Sequence, residues 1–167
     1  SSPGPAGDDC AVLPPTGASC VTTDAVVEGV HFSRETFGWA DVGHKALAVN
    51  LSDLAAMGAT PTWFTVALGL PAGLTDAAVV QLGRGMAALA RLHGATLVGG
   101  NVTRARELSV TITAAGALPG PALLRSGARP GDRLFVSGPL GDAAGGLRVL
   151  QAGRRAPPVL VRAQRRP

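Results

Sequence analysis

Lys45-Ala46-Leu47-Ala48-Val49-Asn50-Leu51-Ser52-Asp53-Leu54-Ala55-Ala56-Met57-Gly58-Ala59 is the stretch on which the reading of this chain turns. It reads as the greater part of a helix that Asp41 can cap, that runs to about Met57, and that Gly58 ends. Asp53 lies on that helix with Ser52 beside it and Asn50 one turn earlier, so one element carries a carboxylate, a hydroxyl and an amide. Working outward, Pro61 opens a strand, Trp63–Leu70, bounded by Pro71 and Gly73. Thr75 can cap a second helix, Asp76–Leu92, with an apolar stripe of Val79, Leu82, Met86, Leu89, Ala90 and Leu92 and with Gly94 at its C-terminal end. On the N-terminal side, Val21–Asp24 is a short β-prone run that Val26–Phe32 can continue, and Ser33–Trp39 reads as a loop.

Farther on, Thr96–Val98 is a buried-type strand running into Gly99-Gly100-Asn101. Leu108–Ala117 alternates: Val110, Ile112 and Ala114 fall on one face, Ser109, Thr111 and Thr113 on the other. Arg129-Pro130-Gly131-Asp132 is a turn, Leu134–Ser137 a strand, and Asp142–Gln151 a helix rich in glycine near its start. The order predicts an α/β (α+β) arrangement with a mixed sheet and helices on one face. The half-polar strand Leu108–Ala117 calls for water or a partner, and a dimer interface is one way to supply it.

The 167 residues suffice for one domain of ordinary size with little left over. The 15 basic and 11 acidic residues give +4, and the pI is about 10.4, which invites a nucleic-acid reading. The placement of the charge argues against that. Arg154, Arg155, Arg162, Arg165 and Arg166 crowd the end, leaving 10 basic and 11 acidic residues over positions 1–153. There is no tyrosine and aromatics are 4%, so the arginines lack the interleaved rings of a stacking platform. Apolar residues at 46% exclude a disordered chain. Prolines interrupt both long uncharged stretches, 58–75 and 108–124, so neither reads as a membrane helix. Two cysteines, Cys10 and Cys20, make no disulfide framework or zinc cluster and fit a reducing, cytoplasmic setting.

The acids are few and unevenly placed. Asp8-Asp9 follow a glycine, Asp24 follows Thr22 and Thr23, and Asp53 lies on the helix. Carboxylates with neighbouring hydroxyls and amides are the hard-oxygen donors Mg²⁺ takes, usually sharing its shell with water and phosphate. The alternative for each is turn and cap chemistry. Gly99-Gly100-Asn101 can bring backbone close to a phosphate, or can be an ordinary strand-to-loop turn; it is neither a Walker A loop nor a dinucleotide fingerprint. Gly138–Gly146 is a second anion candidate, with tight helix–sheet packing as the equal alternative. His93 at a helix C-terminus reads as structural, His44 has no assigned role, and His31 has none that pattern alone supplies.

Gly7-Asp8-Asp9-Cys10-Ala11-Val12-Leu13, Thr22-Thr23-Asp24, Glu28-Gly29-Val30-His31-Phe32, the Lys45–Ala59 block, Gly99-Gly100-Asn101 and Arg125–Asp132, in that order, resemble thiamine-monophosphate kinase. The Asn50–Ala59 block is shared with the wider superfamily that includes aminoimidazole ribonucleotide synthetase, and Glu28–Phe32 points to the thiamine kinase within it. The resemblance implies ATP- and Mg²⁺-dependent phosphorylation of thiamine monophosphate to thiamine diphosphate, with ATP as co-substrate and several Mg²⁺ ions. It places metal ligands at Asp9, Thr22, Thr23, Asp24, Asp53 and Asn101, ATP contacts at Gly100, Asn101 and Arg125, and a substrate contact at His31. The acceptor is an ionised phosphate oxygen, so no general base is assigned. The family usually has aspartate where this chain has Asn101, which implies a weaker or differently filled metal site.

The resemblance also implies a homodimer whose strands join in an intersubunit β-barrel, and no nucleic-acid or membrane partner. It sets an N-terminal ATP/Mg-binding domain at 1–150 and a basic linker at 151–167. It implies a segment before Gly7 and a second domain after Pro167. Two alternatives stay open: a non-catalytic dimerisation or ATP-binding fragment, and another ATP-using synthetase of the superfamily.

Overall fold

The computed structural model describes residues 17–167. Backbone contacts divide the chain into two compact units, the first reaching to Ala122 and the second spanning Leu123–Pro167. The first unit runs β1 (Ser19–Val27), α1 (Trp39–Ala56), β2 (Thr60–Leu70), α2 (Asp76–His93), β3 (Thr96–Arg104) and β4 (Ser109–Ala117).

The four strands form one sheet in the order β1-β4-β2-β3. Strand β4 is antiparallel to both neighbours, with Thr113 opposite Thr23 on one side and Thr65 on the other, while β2 and β3 are parallel. The sheet is therefore mixed, as expected. The alternation in β4 divides its two faces. Val110, Ile112 and Ala114 are buried with Val26, Phe64 and Val66 beneath α1 and α2, in one cluster with Leu47, Leu54, Leu82 and Met86. Thr23, Thr65, Thr111 and Thr113 alternate onto the other face, so both helices cover the apolar one.

Helix α2 begins and ends where its residues predict. Thr75 Oγ1 accepts from Ala78 N–H at 3.2 Å. Gly94 takes the left-handed conformation at φ 68°, and Ala95 N–H donates back to Ala90 O at 3.0 Å. Helix α1 differs at its start. It opens at Trp39 after an extended Gly38, so Asp41 is a first-turn acid aided by the helix dipole and not the cap. Its end is as expected: Gly58 has φ 74° and Ala59 N–H donates to Leu54 O at 2.9 Å. The two helices touch through backbone. A Cβ on Gly43 would collide with the Leu82 carbonyl, and one on Gly85 with the Ala40 carbonyl.

Three further expectations are revised. Strand β1 stops at Val27; Glu28–Phe32 instead closes a tight loop through a bridge between Glu28 and Phe32, with Gly29 at φ 78°. Strand β3 does not end at Val98. It runs through Gly99-Gly100-Asn101 to Arg104 because β2 offers a backbone partner for each residue. Leu134–Ser137 forms no strand: Leu134 and Phe135 are 97% and 86% exposed, and no neighbouring strand completes a ladder.

The second unit carries a single 3₁₀ turn (Arg125–Gly127), α3 (Asp142–Gln151) and α4 (Pro158–Arg165). Helix α3 spans the expected residues. The stretch expected as a linker holds α4, which Pro158 opens at the first helical position. Gly146 meets the Leu160 backbone there.

Candidate functional site

Strand β1 sends Thr22, Asp24 and Val26 toward α1 and Thr23 and Ala25 the other way. Opposite Thr22, α1 presents Asp53, and the Thr22 hydroxyl donates to Asp53 Oδ2 at 2.6 Å across 31 positions of sequence. Asp24 and Asp53 are both exposed. One turn before Asp53, Asn50 is wholly buried. Its Nδ2 donates to Ala46 O at 3.1 Å, and its Oδ1 has no partner among the described residues.

The Thr22–Asp53 pair, with Asp24 two residues along the same face of β1, is a hard-oxygen set of the kind that suits a cation keeping water in its shell, such as Mg²⁺. It is not a cage. Among the described residues no three His, Cys, Asp or Glu side chains gather closely enough to hold a metal. Asp9 lies outside the described residues. Thr23 is turned away, with its hydroxyl 2.6 Å from that of Thr113 on the opposite face.

The loop after β1 sets His31. Its N–H donates to Val27 O at 2.8 Å, and its Nδ1 accepts from Val27 N–H at 3.1 Å. An imidazole accepting at Nδ1 carries a proton on Nε2, so this exposed ring offers an N–H donor. Beneath it, Phe32 and Phe37 are buried and meet edge to face at 6.1 Å. Arg34 pairs with Glu28 and lies 5.4 Å over Trp39. Lys45 on α1 donates to His31 O at 3.0 Å and sits 5.0 Å over the Phe37 ring. Sequence motifs assign Lys45 no role; the signal it does carry is compositional, as the only lysine among 15 basic residues.

Gly100 and Asn101 stand at the far edge of the sheet. Asn101 is level with Ala67, Thr111 and Ala25, and two strands intervene between β3 and β1. Three strand steps of roughly 4.8 Å each separate it from the Asp24 strand. The extended backbone turns successive N–H groups to opposite sides, so they do not converge into an anion nest. A Cβ on Gly100 would collide with the Val66 carbonyl, so strand pairing alone requires glycine there. Beside this edge lies a groove of about 390 Å³ between α2 and β3, lined by Leu82, Met86, Val66, Leu97, Gly100 and Asn101 among others. Arg125 opens the 3₁₀ turn of the second unit and is exposed.

Residues 7–118 match the family described as AIR synthase related protein, N-terminal domain. The chain is 46% identical over 148 residues to thiamine-monophosphate kinase of Escherichia coli K12, covering 87% of this chain and 45% of that protein. The crystal structure of thiamine-monophosphate kinase from Stenotrophomonas maltophilia K279a superposes with a TM-score of 0.86 at 45% identity, covering 96% of this chain and 54% of that one. The structure of AaThiL complexed with AMPPCP and TMP superposes with a TM-score of 0.84 at 33% identity, covering 89% and 49%. The chain thus spans about half the length of the curated relatives it matches.

Proposed function

The chain belongs to the family of AIR synthase related proteins, N-terminal domain, and from that premise we propose that it is the N-terminal part of a kinase that moves the γ-phosphoryl group of ATP onto thiamine monophosphate. The observation that carries this reading is the 46% identity, over 87% of the chain, to a thiamine-monophosphate kinase. The AaThiL structure with AMPPCP and TMP supports the same pair of substrates.

The roles follow from chemistry. A phosphate oxygen acceptor is ionised at neutral pH, so the work is alignment and charge neutralisation, without a general base. Asp24 and Asp53, with Asp9 and the Thr22 hydroxyl, would hold Mg²⁺ against the phosphates. When bound, Mg²⁺ supplies positive charge between two polyanions. Thr22 steadies Asp53 by its 2.6 Å hydrogen bond. His31 offers an N–H donor to the acceptor. Gly100 and Asn101, beside the α2–β3 groove, and Arg125, whose guanidinium can fork onto a phosphate, would contact ATP. Thr23 and Asn101 belong to the same metal set in this reading. Thr23 faces away from Asp53 and Asn101 stands across the sheet from the Asp24 strand, so a second copy is the natural complement. Among the described residues β1 and β3 are the edge strands of the sheet, and these edges with the threonine-lined face support a homodimer. No helix among the described residues is long and apolar enough to cross a membrane, and we place the enzyme in the cytoplasm. We also take 1–150 as the nucleotide- and metal-binding domain.

The test is transfer of labelled γ-phosphate to thiamine monophosphate by the full-length protein, with Asp53→Ala alongside. Thiamine diphosphate is the expected product. The variant should lose at least about 100-fold in turnover, the scale of removing one electrostatic group from a transition state, while melting at the same temperature. Near-normal turnover in Asp53→Ala removes the metal assignment. Label on a different acceptor moves the protein to another activity.

A further inference from the structure

Fourteen of the fifteen basic residues are arginine, and the one lysine is on α1 against the β1–α1 loop. Lys45 is half-buried, and burial lowers its pKa from the ordinary lysine value. It forms no ion pair among the described residues; the one pair seen joins Arg34 and Glu28. Its ammonium is instead held by a carbonyl and a ring: Nζ donates to His31 O at 3.0 Å and stands 5.0 Å from the Phe37 centroid. One side chain thus spans the loop from His31 to Phe37.

His31 is therefore fastened three ways. Its N–H and its Nδ1 both bond to Val27, and its carbonyl bonds to Lys45. The first two contacts fix the ring and its tautomer. The third ties the following peptide to α1 and so holds the loop that carries the ring. Gly29 N–H donating to Phe32 O at 2.8 Å completes the turn but does not reach the imidazole. A compact ammonium on a flexible stem can donate to a carbonyl while lying over a ring; a planar guanidinium fits that corner less well. A positive charge held against the His31 loop favours an anionic ligand beside it.

We propose that Lys45 is a positioning residue that clasps the loop Glu28–Phe37 so that His31 presents its Nε2–H to a phosphate-bearing acceptor. The proposal rests on the reading of His31 as the acceptor contact, and its test separates the two. The first readout is ¹⁵N–¹H NMR of the His31 ring in the ligand-free full-length protein. Wild type shows a single tautomer with the proton on Nε2, whereas Lys45→Met mixes the tautomers. The second is kinetic. Lys45→Met raises KM for thiamine monophosphate about tenfold, the scale of one hydrogen bond, with kcat little changed. Lys45→Arg, whose planar fork fits the corner less well, recovers only part of the loss, His31→Ala matches the full loss, and the double variant is no worse than either single one.

A folded Lys45→Met with the wild-type tautomer and KM overturns the proposal. So does a double variant whose effect is the product of the two singles, because Lys45 would then act independently of His31. If wild type does not turn over thiamine monophosphate, the acceptor reading fails and the tautomer alone decides the role of Lys45. Should Lys45→Met not fold, Lys45→Leu, which likewise keeps an apolar stem and removes the donor, carries the same comparison.

Discussion

Two glycines two residues apart on α2 should respond to the same substitution with opposite sign. Gly85 faces α1 at closest approach. A Cβ placed on it would overlap the Ala40 carbonyl oxygen and lie 2.7 Å from the carbonyl carbon, where ordinary contact begins near 3.4 Å. Backbone cannot rotate aside as a side chain can, so the helices must part by about an ångström or more. A gap of that order forfeits roughly a quarter to a half of each dispersion contact it opens. The interface includes Val42, Leu47, Leu82, Met86 and Leu89, all buried. Overpacking of this kind costs about 1–3 kcal/mol.

Gly83 has nothing within 4 Å of its ideal Cβ and is exposed. Alanine there gains helix propensity, about 0.5–1 kcal/mol. For a domain of about 100 residues each kcal/mol moves the melting temperature by roughly 4–8 °C. Urea and thermal unfolding followed at 222 nm should place Gly85→Ala roughly 8–16 °C below the parent for a cost of about 2 kcal/mol, and Gly83→Ala a few degrees above it. Adding Gly43→Ala to Gly85→Ala should cost less than the sum, since both force the same two helices apart. Equal shifts in the two single variants, or a Gly85→Ala that melts with the parent, would refute the backbone-contact reasoning.

Other outcomes follow from the same geometry. Ile112→Ala, at a position with no exposed surface in the central strand, should cost about 2–5 kcal/mol by chemical denaturation. A loss under 1 kcal/mol would mean the sheet does not pack on α1 there. Asn101→Asp restores a carboxylate at the family's usual acid and should lower the Mg²⁺ concentration for half-maximal turnover; an unchanged titration would take Asn101 out of the metal set. Burial disfavours the charged form of Lys45, so its folded-state pKa lies below the ordinary 10.5. Between those two values the unfolded chain binds more protons, so stability should rise with pH across that window relative to Lys45→Met. A pH-independent difference would contradict the burial.

Much of the first unit was legible locally. Thr75 and Gly94 mark α2 because a cap hydroxyl and a left-handed glycine act over three or four residues. The two-residue period of Ser109–Ala117 identifies a half-buried strand whatever its neighbours. The acid-rich motifs named Thr22, Asp24 and Asp53, and the fold joins Thr22 to Asp53 by a hydrogen bond, with Asp24 two residues along the same face of β1. What pattern could not show was orientation. Thr22 and Thr23 are adjacent in sequence, yet pleating sends one to Asp53 and the other to Thr113. Lys45 carries no periodic signal, and its contacts lie 8 and 14 residues away in a loop.

By itself the sequence determined the elements whose ends are set by local chemistry, the mixed α/β class, and the residues that can supply oxygen donors and phosphate-binding charge. Only the tertiary structure decided which strands touch. It placed β4 between β1 and β2, drew β3 through its glycines because β2 supplied a partner, and left Leu134–Ser137 without one. The reason is physical. Caps and helical turns close hydrogen bonds within a few residues, whereas a strand's hydrogen bonds are completed by residues distant in the chain, so their existence is a property of the assembled sheet.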